Sequence, residues 1–226
     1  MFALDQVVPW GRSFDEYRRM FALSDTDLGL RILGCGDGPA SFNAEATRRG
    51  GRVVSCDPIY RFDATQIEQR IASTSGEVLE QTRKNAAEFV WDDAIPTVEA
   101  LGRVRMSAMQ TFLEDFEAGK VAGRYIEGEL PVLPFPDEAF DLALCSHFLF
   151  LYTSQLGEAF HREATRELRR VASEVRIFPL LALGGQPSSF VEPCLSLLRE
   201  SHHVSIERVP YEFQRGGNEM MRIRSE

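Results

Sequence analysis

Apolar positions along the chain change their period several times, and the changes mark the elements. Phe14, Tyr17, Met20, Phe21 and Leu23 recur at three- and four-residue intervals, which places them on one face of a helix over 14–23 with Ser13 as its N-cap. A short apolar run at 30–33 then reads as a first strand that breaks into Gly34-Cys35-Gly36-Asp37-Gly38-Pro39. The segment SFNAEATRRG after it reads as a helix closing on a glycine pair. Residues 52–56 are β-branched and apolar, and Asp57-Pro58 ends them, because proline cannot donate to a ladder.

From 63 to 120 the pattern turns helical and polar. Helices are predicted at 64–73, 76–91 and 97–117, divided by Ser73-Thr74-Ser75-Gly76 and by Pro96. One crossover helix suffices for a βαβ unit, so the surplus is expected to form a helical insertion over the ligand-binding edge of the sheet. Strands at 124–126 and 140–145 follow, separated by the proline-bearing LPVLPFPDEA. A helix at 158–171, a strand at 174–178, a Gly-Gly-Gln-Pro loop at 184–187, a helix at about 189–201 and a strand at 204–211 continue the alternation. The last strand, 219–223, comes after a turn-rich link at 215–218 that suits an antiparallel hairpin. Alternation of this kind implies an α/β fold: a doubly wound, mostly parallel seven-stranded sheet with an antiparallel last strand and a helical insertion after strand 2. We expect one domain over 1–226, with 1–29 as an N-terminal helical cover and 63–120 as the insertion.

Charge narrows the partners. With 34 acidic against 25 basic side chains, a net −9 repels a phosphate backbone, so a small-molecule acceptor is expected and nucleic acid is not. The basic stretch 162–170 is interleaved with Glu163 and Glu167 and reads as a solvated helix face. The N-terminus shows no secretory pattern, and the most apolar run, 142–152, is too short to cross a bilayer; a cytoplasmic protein without a membrane partner is expected. Cys35, Cys56, Cys145 and Cys194 form no CxxC pair and read as reduced core thiols, with no metal site. Oligomeric state is not legible.

In an open α/β sheet the ligand lies beyond the carboxyl ends of the strands, so the loops after each strand carry the chemistry. The glycine loop at 34–38 lets backbone approach a ligand closely, and the next helix offers free N–H groups. Asp57 ends the second strand roughly 20 positions after Gly36, where a carboxylate can accept both hydroxyls of a ribose. Loop and acid support one another as a nucleoside site.

RILGCGDGPASF, then VVSCDP, then IEGELPVLPFPDEAFDLALCSHFLF together resemble the principal motifs of the class I S-adenosylmethionine-dependent methyltransferases, across most of the chain. The resemblance implies S-adenosylmethionine as cofactor. It implies that Gly34, Cys35, Gly36 and Gly38 lie beside the amino acid end, that Asp57 holds the ribose, and that Pro58 and Ile59 flank the adenine. Glu129 would meet the adenine amino group with Leu130 beside the ring, and Ser146 and His147 would lie beneath the methionine part. Ile32 stands where many members carry an acid, so the backbone carbonyls of Gly34 and Ser146 would substitute. The Asn-Pro-Pro-aromatic signature of enzymes that methylate base amino groups is missing.

His147 is the candidate general base. Tyr17 and Arg12, from the N-terminal cover, are candidate carboxylate or acceptor contacts; 214–218 are candidate substrate contacts; Tyr60, Trp91 and Tyr152 are candidates to line an acceptor pocket. Two other readings stay open: a noncatalytic module binding S-adenosylmethionine or S-adenosylhomocysteine, and an NAD(P)-dependent oxidoreductase. Against the latter, the third glycine of GCGDGP follows the second by two positions where GxGxxG has three.

Overall fold

The computed structural model describes residues 8–199 and 201–225. The start of the N-terminus read for a secretory pattern, and of the cover at 1–29, lies outside them, as does one position of the helix expected at 189–201.

Among the described residues, seven strands form one sheet in the order β3-β2-β1-β4-β5-β7-β6. They are β1 (Arg31–Cys35), β2 (Arg52–Cys56), β3 (Tyr125–Ile126), β4 (Phe140–Ser146), β5 (Ala172–Phe178), β6 (His203–Arg208) and β7 (Glu219–Arg224). β1 pairs in parallel with β2 and β4, β2 with β3, and β4 with β5. β7 alone runs antiparallel to both of its neighbours, β5 and β6. The doubly wound sheet with an antiparallel last strand is therefore present.

Both faces of the central strands are buried, and side chains alternate between two cores. Ile32, Leu142 and Leu144 face Phe14, Tyr17, Met20 and Phe42 on α1 (Phe14–Met20) and α3 (Phe42–Arg48). Their neighbours Leu33, Ala143 and Cys145 face Ala164, Leu168 and Val171 on α6 (Glu158–Val171) and Leu195 on α7 (Val191–Leu198). This is the period of two with both faces covered that parallel sheets require. The polar face of α6 pairs its arginines locally, Arg162 with Glu158 and Arg170 with Glu167 and Asp137. Capping fixes the cover before β1: Ser13 forms a capping box with Glu16 on α1, and Ser24 one with Asp27 on α2 (Asp25–Leu28). Asp27 in turn receives Arg176 of β5 at 3.1 Å, tying the cover to the sheet.

Two corrections concern the region after β2. Residues 64–84 form one uninterrupted helix, α4 (Ala64–Lys84), which passes through the expected Ser-Thr-Ser-Gly turn. The hydroxyls of Ser73 and Thr74 each donate to the Arg70 carbonyl at 2.9 Å, so they are satisfied inside the helix. The chain then leaves helix near Asn85, and the helix expected to reach 91 is replaced by a short turn and Phe89-Val90, whose backbone joins Phe213-Gln214. α5 (Val98–Val121) packs on α3 and β3 and serves as the crossover to β3; α4 is the surplus element, lying outside it. Among the described residues no helix is long and apolar enough to cross a membrane.

Candidate nucleoside-binding crevice

The chain runs outward from β1 to β2 and β3, then returns to place β4 on the other side of β1. This is a topological switch point, where neighbouring loops diverge and leave a crevice beyond the carboxyl ends of the strands. A cleft of about 620 Å³ opens there. Its lining includes Cys35 at the end of β1, Gly36 and Gly38 after it, Asp57, Pro58 and Ile59 after β2, Glu129 and Leu130 after β3, Ser146 and His147 at the end of β4, and Tyr17 and Arg12 from the cover. Four separate loops and the N-terminal cover thus bring these side chains to one space.

Gly34 does not line it. It lies inside β1, paired with Ser55 and Leu144, and a β-carbon there would fall 1.8 Å from the Asp37 carboxylate. The glycine makes room for Asp37, not for a ligand, and its carbonyl belongs to the sheet. Gly36 and Gly38 form the turn, with φ of +67° and +52°. A side chain at Gly36 would press on Phe148, whereas a β-carbon at Gly38 meets nothing within 4 Å because it points to open space. Of the three candidate pocket aromatics, Tyr152 lines the cleft, but Tyr60 and Trp91 do not. Tyr60 is buried among Phe112, Phe116 and Tyr125, and its hydroxyl donates to the Gly38 carbonyl at 2.7 Å, bracing the glycine turn from behind. Trp91 donates to the Ala86 carbonyl and stacks edge-on against Phe89. From the segment at 214–218, Gln214 reaches the cleft, while Asn218 donates to Glu212.

Asp57 is fixed by backbone. Its Oδ1 accepts from the Ile59 N–H and its Oδ2 from the Gly38 N–H, both at 2.8 Å, so the tip of β2 is bolted to the glycine turn. A carboxylate has about four lone-pair sites, and one on each oxygen remains for a diol. Burial pushes its pKa up to about 6; the two backbone bonds pull down, and Glu129 pushes up.

Asp37 is a residue the sequence reading left unassigned. It lines the cleft at 7% exposure and accepts from Tyr17 Oη at 2.7 Å and Ser55 Oγ at 2.6 Å. Burial raises its pKa to about 6 against those two bonds, with the Asp57 charge adding to the rise. Among the described residues neither aspartate has a cationic side-chain partner within salt-bridge distance. The Asp37 and Asp57 carboxylates thus face one crevice, which Arg12, Arg61 and Arg70 also line. The acid in the middle of the glycine motif was the available signal. Tyr17, an expected ligand contact, lines the cleft and donates its hydroxyl to Asp37.

His147 has φ of +50°, a rare conformation for a residue with a side chain, and is held there by its N–H donating to the Phe178 carbonyl at 2.7 Å. Nδ1 lies 3.0 Å from Ser146 Oγ. Burial, then the charges of Arg12 and Arg105, depress its pKa well below the ordinary histidine range, so the ring is neutral at physiological pH. All four cysteines are buried and free of disulfides, with Cys35 and Cys56 against the crevice.

Sheet order and crevice together define a Rossmann-like α/β protein with a cleft at its switch point. The chain belongs to the same family as Uncharacterized protein MJ0045 of Methanocaldococcus jannaschii: the two are 35% identical over 224 residues, which make up 98% of this chain and 97% of that protein. No protein-family model matches the chain. Among solved structures it is similar to a TehB-like SAM-dependent methyltransferase from Corynebacterium glutamicum, at 15% identity with 93% of this chain and 87% of that chain covered and a TM-score of 0.46. It is also similar to magnesium protoporphyrin IX methyltransferase from Synechocystis PCC 6803 with bound SAM, at 12% identity, 94% and 91% coverage and a TM-score of 0.45.

Proposed function

We propose that the chain transfers a methyl group from S-adenosylmethionine to a small-molecule acceptor. The observation that carries this reading is the convergence of the β1 glycine turn and the Asp57 carboxylate on one crevice whose floor is anionic. An adenosyl group carrying a sulfonium and an ammonium complements that floor, whereas the pyrophosphate of a nicotinamide dinucleotide would be repelled by Asp37, Asp57 and Glu129. The residues fit the cofactor: Asp57 keeps free lone pairs for the ribose diol, Gly38 leaves open space, and Ile59 and Leu130 offer apolar walls for a base.

The bound cofactor would supply an electrophilic methyl group, so the protein's own task is alignment and exclusion of water. Asp37, braced by Tyr17 and Ser55, offers the ammonium a carboxylate in place of the one missing at Ile32. The aromatic side chains of Phe89, Phe148, Phe160 and Phe213 wall the cleft and keep the acceptor side dry. His147 is neutral and lies in the cleft; in the tautomer whose Nδ1–H donates to Ser146 Oγ, Nε2 is left to accept a proton from a hydroxyl or ammonium acceptor. Incubation with S-adenosylmethionine and a panel of small phenols, amines and carboxylic acids, read by mass spectrometry, tests the reading. Formation of S-adenosylhomocysteine with a product heavier by one methyl supports it; tight binding of the cofactor with no product from any acceptor class would favour the noncatalytic module instead.

A further inference from the structure

One charged feature of the cleft has no use in the reaction so far described. Arg105 of α5 is fully buried, and Arg12, from the segment before α1, lines the cleft. The carboxylate of Glu16 accepts from Arg105 Nη1 and, at 2.8 Å, from the Tyr211 hydroxyl; burial pushes its pKa up, and the Arg105 charge and hydrogen bond, the Arg12 charge and the Ser13 N–H together hold it at about 2. Arg12 donates from Nη1 to the Trp10 carbonyl. The Nε of Arg12 and both Nε and Nη2 of Arg105 are buried and meet no acceptor among the described residues. Two guanidiniums against one carboxylate leave a positive charge surplus with unmet donors, an arrangement that is costly unless a ligand completes it. Arg105 lies 5.8 Å from the centre of the Phe213 ring, which itself lines the cleft with Trp10 and Phe89.

The cleft thus carries carboxylates after β1 and β2, with Arg61 and Arg70 also on its wall, and the Arg12 guanidinium on the wall formed by the N-terminal segment, while Arg105 is fully buried and outside the lining. We propose that the cleft wall at Arg12 is the acceptor subsite and that it takes an aromatic acceptor bearing a carboxylate, whose oxygens pair with the Arg12 guanidinium. Guanidinium forks match a carboxylate bidentately, and the aromatic wall supplies stacking area for a ring. Calling the ligand an acceptor rests on the methyltransferase reading; the anion site itself stands on Arg12, which lines the cleft with its buried Nε unpartnered.

Calorimetric titration with naphthalene-2-carboxylate and naphthalene-2-carboxamide, on protein with and without saturating S-adenosylhomocysteine, tests it. The acid should bind at least about tenfold more tightly than the amide. Arg12→Met should abolish that preference, Arg12→Lys should keep part of it, and S-adenosylhomocysteine affinity of Arg12→Met should stay within about twofold of the parent. Equal binding of acid and amide by the unaltered protein overturns the proposal and needs no variant to fold. An Arg12→Met protein that keeps the acid preference but loses S-adenosylhomocysteine also overturns it, assigning the guanidinium to the cofactor carboxylate. Should S-adenosylhomocysteine not bind at all, the methyltransferase reading fails, while the acid-to-amide ratio measured without it still decides the anion site.

Discussion

Asp57 gives one carboxylate two duties. It caps the turn Pro58–Arg61 and ties down Gly38, and its remaining lone pairs face the cleft. The two backbone bonds make it a structural anchor as well as an expected ligand contact. Asp57→Ala should raise the S-adenosylhomocysteine Kd by about tenfold to a hundredfold. It should also destabilise the unliganded protein by about 0.5–2 kcal/mol through the lost cap; calorimetry and thermal melting read the two effects separately. pH acts on the same carboxylates. Asp37 and Asp57 have folded pKa values raised to about 6, above 3.8. Their ionised forms therefore oppose folding, and the unliganded protein should gain stability as pH falls from 7.5 through 6 toward 5. Glu16, lowered to about 2, contributes stability above pH 4.5 that is lost only on further acidification. Over the same 7.5 to 5 range S-adenosylmethionine, a net cation, should bind progressively more weakly as the floor loses charge, and more steeply than S-adenosylhomocysteine, which lacks the sulfonium charge. A melting temperature that falls across that range would show that these carboxylates are not destabilised by burial. What was opaque at this scale was long-range partnership: nothing in the sequence brings Arg105 to Glu16 or Asp37 to Tyr17 and Ser55, because those contacts exist only once the elements pack.

At the scale of elements, strand positions were legible because both-face burial writes continuous β-branched and apolar runs, and 52–56 matches β2 residue for residue. Helix breaks were not. Ser73-Thr74-Ser75-Gly76 reads as a turn, yet three hydroxyls folding onto preceding carbonyls let α4 continue. That continuity carries Arg70, Ser73, Thr74, Val78 and Thr82 along one wall of the cleft. The glycine run was also ambiguous, since it does not say that β1 extends through Gly34 and Cys35 before the turn begins. Two substitutions probe how elements hold the site. Tyr60→Phe removes the hydroxyl that braces Gly38 and should weaken S-adenosylhomocysteine binding by about two- to tenfold, with the aromatic packing preserved. Gly128→Ala would bring a methyl 2.8 Å from Cys56 Sγ and 2.9 Å from Pro134 Cδ, forcing the Glu129 loop away from β2. Overpacking of that kind should cost about 1–3 kcal/mol in a denaturant melt. A neutral result there would mean that the loop after β3 is not clamped.

At the scale of the whole molecule, a sheet that winds outward to β3 and returns to β4 must open at β1, and the chain puts its glycine turn, its acids and its histidine around that opening. On the proposed reading the Asp37 and Asp57 carboxylates draw a cationic cofactor to the strand tips and Arg12 draws an anionic acceptor to the cover. Titration of the protein with S-adenosylhomocysteine and with NAD, repeated on Asp57→Asn, probes that arrangement in one calorimeter. S-adenosylhomocysteine should bind one to a chain, NAD should give no saturable heat, and Asp57→Asn should weaken the first by at least about tenfold. Saturable NAD binding, or an S-adenosylhomocysteine affinity indifferent to Asp57, would contradict the placement of an adenosyl group between the β1 turn and the tip of β2.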